Sequence, residues 1–327
     1  MAKKAPSLEE HLRSRPDDWA SWLVFGDALL DQGDVRGELI RLEHQHANAR
    51  SGQDRVADEI RAFIKQHQPT WHAPLPEGAR PQWLHGFIVG LELQWIEGAR
   101  ERLAEFLASP HSRFVTSLAI TRIGEELADE EDDYDEEDFD EDGNPIRAAL
   151  DAKQVTAALG SLLALDLKQL RTLSLAYVGV GEAGAALVAE ASGLSHLAQL
   201  DLRFNLIGNA GAKSLAASKH LHGLSALHLQ SNELEAAGAK ALAAAKWTRL
   251  EFLDLRRNTI GPAGAKALAA STSLSTLKRL WLQREDVGAA GVTALAKSAT
   301  LPASIRGLWK GKVEFAAGGD EDDEDED

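Results

Sequence analysis

The chain has 327 residues, 44% of them hydrophobic, and contains no cysteine. That is enough apolar material for one large folded domain or two ordinary ones. The lack of cysteine excludes disulfide and thiolate chemistry and favours a reducing compartment, so we expect a cytoplasmic protein. The sequence has neither an apolar signal sequence nor a run of about eighteen apolar residues, so we expect no signal peptide and no membrane span.

Helical patterns fill the N-terminal part of the chain. The sequence SLEEHL, which starts at Ser7, has the Ser-x-x-Glu pattern of a helix capping box. Apolar and amphipathic patterns predict further helices over 19–30 and 55–67. We therefore predict a helical domain over residues 1–70, followed by a connection over residues 71–87 that contains Pro and Trp.

A sequence of about 27 residues repeats through the rest of the chain. Five copies of the pattern LxxLxLxx(N)x(I/L/V)xxxG start 27, 27, 26 and 27 residues apart, at Leu170, Leu197, Leu224, Leu250 and Leu277. Two earlier stretches, from Ile88 and Val115, have the same frame, and a partial unit, IRGLWKGKV, starts at Ile305. A fixed period of this length is typical of repeat proteins, in which each unit buries its apolar face against its neighbours.

Each part of the repeat has a physical explanation. The LxL alternation predicts a short strand with one buried face. Three repeats have an asparagine after the strand, and stacked side-chain amides can satisfy backbone groups of the turning chain there. These are Asn205, Asn232 and Asn258. A glycine in the following helix is expected to let that helix lie close to the strand layer. Four repeats have one, at Gly211, Gly238, Gly264 and Gly291.

This pattern resembles the leucine-rich repeat, and its length and GAxxLA helix are similar to the ribonuclease-inhibitor type. The resemblance implies an α/β solenoid over residues 88–315, with parallel strands on the concave side and helices on the convex side. The stretch RPDDWASWLVFGDALLDQGDVRGELIRLEHQ resembles the bacterial repeat-companion domain, which accompanies leucine-rich repeats and has no established activity. That second resemblance implies a bacterial protein whose N-terminal domain caps the open apolar end of the solenoid.

Two acidic segments account for the formal net charge of −16. Residues 129–142 contain 12 carboxylates and residues 320–327 contain 8, while the other 31 acidic residues face 35 Lys and Arg, a balance of +4. Like-charge runs of this kind stay solvated and disordered. We therefore predict a disordered acidic insertion over 125–144, in the strand-to-helix loop of one repeat, and a disordered acidic tail over 316–327.

Motifs for catalysis or metal binding give only weak signals. The sequence DFDEDG fits the first six positions of an EF-hand loop, but Ala149 stands at the twelfth position, where a bidentate Glu is needed. The His44/His46 and His220/His222 pairs have no third ligand nearby in the sequence. Nucleotide-binding, zinc-protease and hydrolase motifs are absent. We therefore expect no metal, no cofactor and no catalytic residue.

Residues between and after the strand leucines are expected on the concave face, because side chains alternate along a strand. This set is rich in Arg and aromatic residues, which dominate binding hot spots. The candidate partner-binding residues are Arg122, Tyr177, Arg203, Phe204, His228, Arg256, Arg257, Trp281, Arg284 and Trp309. Trp281 and Trp309 are expected as neighbours on adjacent strands. The alternatives are that Trp309 closes the C-terminal end of the core, and that Arg203 and Arg256 form local ion pairs with Asp201 and Asp254.

A basic, aromatic-rich face fits a folded protein or an acidic peptide best, and single-stranded nucleic acid second. We therefore expect a non-enzymatic protein-interaction module. The acidic segments are expected to modulate binding, and the alternative for the insertion is a solvated loop that only keeps the protein soluble. Two alternatives stay open. The architecture is similar to that of the Ran GTPase-activating proteins, which implies regulation of a small GTPase, although no catalytic residue of that family can be placed here. The acidic segments are similar to those of acidic nuclear phosphoproteins with leucine-rich repeats, which implies chaperoning of basic proteins.

Overall fold

The computed structural model describes residues 7–49, 53–71, 74–123 and 152–317. These residues form twelve α-helices and eight β-strands. The predicted insertion over 125–144 lies outside the described residues, and so does the predicted tail from residue 318 onward. The chain divides into two compact units, one made of residues 1–93 and 98–119, the other of residues 94–97 and 120–327.

The first unit contains five helices and an antiparallel strand pair. Its helices are α1 (Leu8–Ser14), α2 (Trp19–Asp31), α3 (Arg36–Asn48), α4 (Gln53–His67) and α5 (Ala99–Ala108). Strand β1 (Arg80–Leu84) pairs with β2 (Phe87–Trp95), and the division between the units passes through β2 and through β3 (Ser117–Ile123). The helices predicted over 19–30 and 55–67 are present as α2 and α4. Ser7 accepts the expected hydrogen bond from the backbone N–H of Glu10 at 3.2 Å.

An aromatic core holds the first unit together. The rings of Trp22, Phe25, Phe87 and Phe114 lie with their centroids between 4.8 and 6.1 Å apart. Beside this core, α2 and α3 cross at backbone contact, since a Cβ atom on Gly37 would lie only 2.3 Å from a backbone oxygen of α2. That contact explains the glycine within the sequence RGE. The assignment of this region to the repeat-companion domain, and the boundaries at residues 70 and 87, stay predictions.

The second unit alternates short strands with helices. Five parallel strands follow one another in sequence order: β4 (Thr172–Ser174), β5 (Gln199–Asp201), β6 (Ala226–His228), β7 (Phe252–Asp254) and β8 (Arg279–Trp281). The helices are α6 (Ala152–Leu163), α7 (Gly181–Glu190), α8 (Gly208–Ala217), α9 (Ala236–Ala244), α10 (Gly261–Ala270), α11 (Arg284–Ala296) and α12 (Ala303–Ala317). Each helix packs against the next one. The predicted α/β architecture with parallel strands is therefore confirmed for these repeats.

The helix glycines recur at one position of the repeat for a reason that differs from the predicted one. A Cβ atom on Gly264 would lie 3.0 Å from the Cβ atom of Ala239 in α9, and one on Gly291 would lie 2.9 Å from the Cβ atom of Ala265 in α10. Both distances are shorter than ordinary contacts between Cβ atoms. Closer still is the apolar side chain four positions earlier, Ile260 at 2.7 Å and Val287 at 2.8 Å. These glycines therefore leave room for that side chain and for the preceding helix, and none of the nearest contacts is with a strand.

The predicted asparagine ladder is confirmed. The side-chain oxygen of Asn232 accepts hydrogen bonds from the backbone N–H groups of Asn205 at 3.0 Å and Ile207 at 3.3 Å. Its amide nitrogen donates to the backbone oxygens of Leu202 at 2.8 Å and Gln230 at 3.2 Å. Three buried amides repeat this pattern, and each binds the turn of the preceding repeat: Asn205, Asn232 and Asn258.

The ladder ends at a carboxylate instead of an amide. In the last repeat the position equivalent to asparagine is Glu285, and the buried carboxylate of Asp286 takes over the role. It accepts a hydrogen bond from the backbone N–H of Gln283 at 2.7 Å and others from the backbone of Asn258 and Arg257. Burial raises the pKa of Asp286, and these hydrogen bonds oppose part of that rise. A carboxylate has no N–H to donate, so Asp286 supplies only the accepting half of the ladder pattern.

The repeat unit predicted from Ile305 is wrong. Residues 303–317 form helix α12, so the first two residues of the predicted tail over 316–327 are also helical. Ile305 and Trp309 stand four residues apart, which places both on one face of a helix, and both are buried, with Trp309 only 3% exposed. This helix packs against α11. Trp309 therefore belongs to the C-terminal end of the core, as the alternative interpretation proposed.

We expect Asn232→Ala to lower the free energy of unfolding by about 3 kcal/mol. The substitution removes the acceptor of two backbone N–H groups in the preceding turn, and a buried donor without a partner costs about 1–3 kcal/mol. Urea denaturation followed by circular dichroism measures the change. Lys240→Ala, at an exposed position of α9, is the matched control and should change stability by less than about 0.5 kcal/mol. Equal stability of the two variants would contradict the role of the ladder.

A candidate partner-binding face

We call the sheet face the surface formed by four residues of each repeat of β4–β8. Three of them alternate with the buried leucines in and after the strand, and the fourth follows the last of these three in the turn. In the repeat of β7 these positions are Phe252, Asp254, Arg256 and Arg257, and Leu253 and Leu255 lie between them in the core. The registers of β4–β8 place equivalent positions of successive repeats beside one another. Neighbouring strands are about 4.8 Å apart, so side chains in one row can touch.

An aromatic pair lies at the β4–β5 end of the sheet face. The rings of Tyr177 and Phe204 stack with their centroids 4.2 Å apart and their planes inclined by 12°. Both residues have a positive φ angle, 62° and 57°. The structure thus brings together two of the predicted site residues, which stand 27 positions apart in the sequence.

Two arginines of the sheet face form ion pairs within their own strands, as the alternative interpretation proposed. Arg203 Nη2 contacts Asp201 Oδ2 at 2.7 Å, and Arg256 Nη2 contacts Asp254 Oδ2 at 2.8 Å. The Nε atom of each arginine also donates to the same carboxylate at 2.9 Å. Hydrogen bonding to these carboxylates raises the pKa of both arginines. Asp254 is 1% exposed, so Arg256 offsets the cost of burying its charge.

The Trp281 cluster consists of Phe252 on β7, Arg256 in the turn after β7, and Arg279 and Trp281 on β8. Trp281 is 39% exposed, although it is one of the largest apolar side chains of the protein. Its ring meets that of Phe252 edge-to-face, with centroids 4.7 Å apart. The guanidinium carbon of Arg256 lies 4.2 Å from the ring centroid of Trp281, and that of Arg279 lies 4.8 Å from the ring centroid of Phe252. The cluster therefore combines cation–π contacts with an accessible indole.

The sequence reading missed two members of this cluster, Phe252 and Arg279. They precede the second leucine of the repeat, two residues before Asp254 and Trp281, and alternation alone places them on the same face. The sequence signal for both residues is their position directly before the second leucine of the repeat. The contact of Arg256 with Trp281 depends on side-chain rotamers and has no signal in the sequence.

Excess positive charge on the sheet face is confined to the repeats of β7 and β8. At the four sheet-face positions, the repeats of β4 and β6 carry no Asp, Glu, Lys or Arg, although the β6 repeat carries the titratable His228. The β5 repeat carries one acidic and one basic residue, Asp201 and Arg203. The repeats of β7 and β8 carry Asp254 and four arginines: Arg256, Arg257, Arg279 and Arg284. Half of the face is thus neutral, and the half that contains the Trp281 cluster is positive.

The ten predicted site residues divide into three groups. Eight lie along the repeats of β4–β8, as predicted: Tyr177, Arg203, Phe204, His228, Arg256, Arg257, Trp281 and Arg284. Arg122 lies in β3, outside these five strands. Trp309 is buried in α12 and is not a strand neighbour of Trp281, so its place on the binding face was wrong. The reason is its spacing of four residues from Ile305, which is a helical spacing.

Neither a metal cluster nor a membrane-crossing helix is found in the described parts of the chain. Within residues 7–49, 53–71, 74–123 and 152–317, no three His, Asp or Glu side chains come together in a way that could hold a metal ion. None of the helices described above combines the length and the apolar character needed to cross a bilayer.

Comparison with protein families identifies the repeats. Residues 193–216, 220–243 and 248–269 match the family model described as Leucine Rich repeat. These three stretches contain β5, β6 and β7 and all but the last residue of the helix that follows each strand, so residues 193–269 are leucine-rich repeats, as predicted. No curated protein matches the chain.

His228 lies in the middle of the sheet face, and its imidazole centroid is 4.8 Å from that of Phe252. Burial lowers the pKa of His228; Asp201 and Asp254 act in the opposite direction, and Arg203 and Arg256 reinforce the decrease. A histidine whose pKa is lowered by folding stabilises the protein fully only above its ordinary pKa, and this stability is lost as the pH falls through the lowered pKa.

We therefore expect His228 to titrate below the ordinary range of histidine in an NMR titration. Between pH 7.5 and pH 5, His228→Gln should lose less stability than the wild type, as measured by urea denaturation at both pH values. Gln199→Ala, at an exposed position of β5, removes no titratable group and is the control; it should lose as much stability as the wild type. A pH dependence of His228→Gln equal to that of the wild type would show that this imidazole does not contribute.

Proposed function

We propose that this protein is a non-enzymatic interaction module that binds a protein partner on the sheet face, the predicted concave side of the repeats. Leucine-rich repeats present extended surfaces of this kind, on which variable outward residues are held by a constant core. In the present chain the outward residues vary in this way, since His228, Asp254 and Trp281 occupy the same position of successive repeats.

The Trp281 cluster is the observation that carries this proposal. Tryptophan and arginine are the residues most enriched at the centres of protein interfaces. Trp281 is accessible, although its ring contacts Phe252 and Arg256. An exposed indole of this kind is not needed to close the core, because the leucines at the alternate positions, Leu280 and Leu282, already do so.

Affinity capture with a matched set of variants tests the proposal. The wild type and the double variant Trp281→Ala/Arg279→Ala, immobilised at equal density, are exposed to lysate from the source cells, and bound proteins are quantified by mass spectrometry. We expect at least one specifically bound protein to lose more than about tenfold in binding, equivalent to about 1.4 kcal/mol. Its affinity for both forms is then measured with the purified proteins by calorimetry.

Lys240→Ala/Lys266→Ala is the control, because both lysines are exposed on the helices α9 and α10 and both variants lose two large side chains. It should bind like the wild type. A set of captured proteins that Trp281→Ala/Arg279→Ala leaves unchanged would contradict the proposal. If the captured proteins are instead basic and disappear when residues 125–144 and 318–327 are deleted, the acidic segments carry the function, as expected of a chaperone.

A further inference from the structure

The charge of the sheet face has a complement within the same chain. All eight residues of 320–327 are Asp or Glu, and the positive half of the sheet face carries four arginines against one carboxylate. Arg256 is already paired with that carboxylate, Asp254. Near it, Glu251 is also paired, with Lys278 at 2.8 Å. Of the four arginines, three are exposed: Arg257 in the turn after β7, Arg279 on β8 and Arg284 at the start of α11.

The chain leaves the described structure close to this positive half. Gln283, Arg284 and Glu285 line one groove together with Leu308, Gly311 and Lys312 of α12, so the middle of α12 lies beside the start of α11. Glu285 is exposed there, and the two cations Arg284 and Lys312 outnumber it. From Lys312 the helix runs five more residues to Ala317, a rise of about 7.5 Å. The ten residues from 318 to 327 can span up to about 33 Å when extended. That reach covers Arg284, Arg279 and the Trp281 cluster, since neighbouring strands are only about 4.8 Å apart.

We propose that the acidic segment 320–327 binds in cis to the positive half of the sheet face, where its carboxylates pair with Arg279 and Arg284 beside Trp281. Carboxylates form their strongest hydrogen bonds with guanidinium groups. A tethered segment acts at an effective concentration in the millimolar range, so a weak contact suffices for occupancy. The segment then competes with any acidic partner for the Trp281 cluster. This inference rests on the proposed function, because it concerns the same face and defines the partner class as an acidic peptide.

A peptide titration tests the cis contact. A fluorescein-labelled peptide DEDDEDED is titrated, with fluorescence anisotropy as readout, against the native full-length chain and against a full-length variant in which all eight carboxylates of 320–327 are replaced by amides. The buffer has about 10 mM ionic strength, where charges act over about 30 Å. We expect the amide variant to bind the peptide at least about tenfold more tightly, because its own segment no longer competes. Equal affinities overturn the proposal.

Two further substitutions, made in the amide variant, locate the site. Arg279→Gln/Arg284→Gln should weaken peptide binding by at least about tenfold, and Lys240→Gln/Lys266→Gln, on α9 and α10, should change it by less than about twofold. Equal losses in both pairs would mean non-specific attraction and overturn the proposal. A measurement without any arginine variant is the indole N–H resonance of Trp281, which should shift between the native chain and the amide variant; an unchanged resonance contradicts the contact.

The other acidic segment provides the remaining control. If amide replacement within 129–142, and not within 320–327, produces the tenfold gain, the proposed occupant is wrong. The outcome is also separable from that of the proposed function. A titration without the expected gain, together with partner capture that still depends on Trp281, removes only the cis contact. Capture that does not depend on Trp281, together with a positive titration, removes only the protein-binding function.

Discussion

The asparagine ladder is the constraint on which the rest of the repeat region depends. Each buried amide binds the turn of the preceding repeat through two accepted hydrogen bonds. A strand that slipped by one residue would leave these N–H groups buried without acceptors and would turn its leucines outward. Because the ladder and the leucines fix the register, the register does not depend on which residues stand at the outward positions. This freedom lets one position carry Ser174, Asp201, His228, Asp254 and Trp281 in turn.

The ladder also sets the backbone of the turn. The residue before the asparagine position has a positive φ angle in four repeats, at Tyr177, Phe204, Ser231 and Arg257. For a residue other than glycine this conformation costs about 1 kcal/mol, which the hydrogen bonds of the ladder offset. Two repeats have no asparagine there. In the repeat of β4 the residue is Val178, and Asn205 of the next repeat binds its turn. In the repeat of β8 the residue is Glu285, and Arg284 begins α11. The β8 edge of the sheet face therefore differs from its interior, because the ladder ends at Asp286 and α11 is followed by the helix α12 instead of another strand.

The repeat period in the sequence was sufficient to predict the strands, the ladder, the ion pairs of Arg203 and Arg256, and the face to which most candidate residues belong. It failed where two patterns look alike over a short stretch. IRGLWKGKV resembles the start of a repeat, yet the spacing of Ile305 and Trp309 is helical, and the helix buries both. The predicted connection over 71–87 likewise contains β1, a five-residue strand with Pro81 at its second position, which gave no clear alternation. Contacts between side chains, such as that of Arg256 with Trp281, follow from packing and are not encoded by any local pattern.

Arg256 links the stability of the repeats to the properties of their surface. The carboxylate of Asp254 is buried and needs a cation, and two hydrogen bonds hold the guanidinium of Arg256 against it. The same guanidinium lies 4.2 Å from the ring centroid of Trp281. A contact required by the fold therefore also orients the indole before any partner arrives. Immobilising a flexible side chain at an interface costs about 0.5–1.5 kcal/mol, and an indole that is already held avoids much of this cost. The Trp281 cluster is thus a part of the sheet face on which the proposed binding would require little additional ordering.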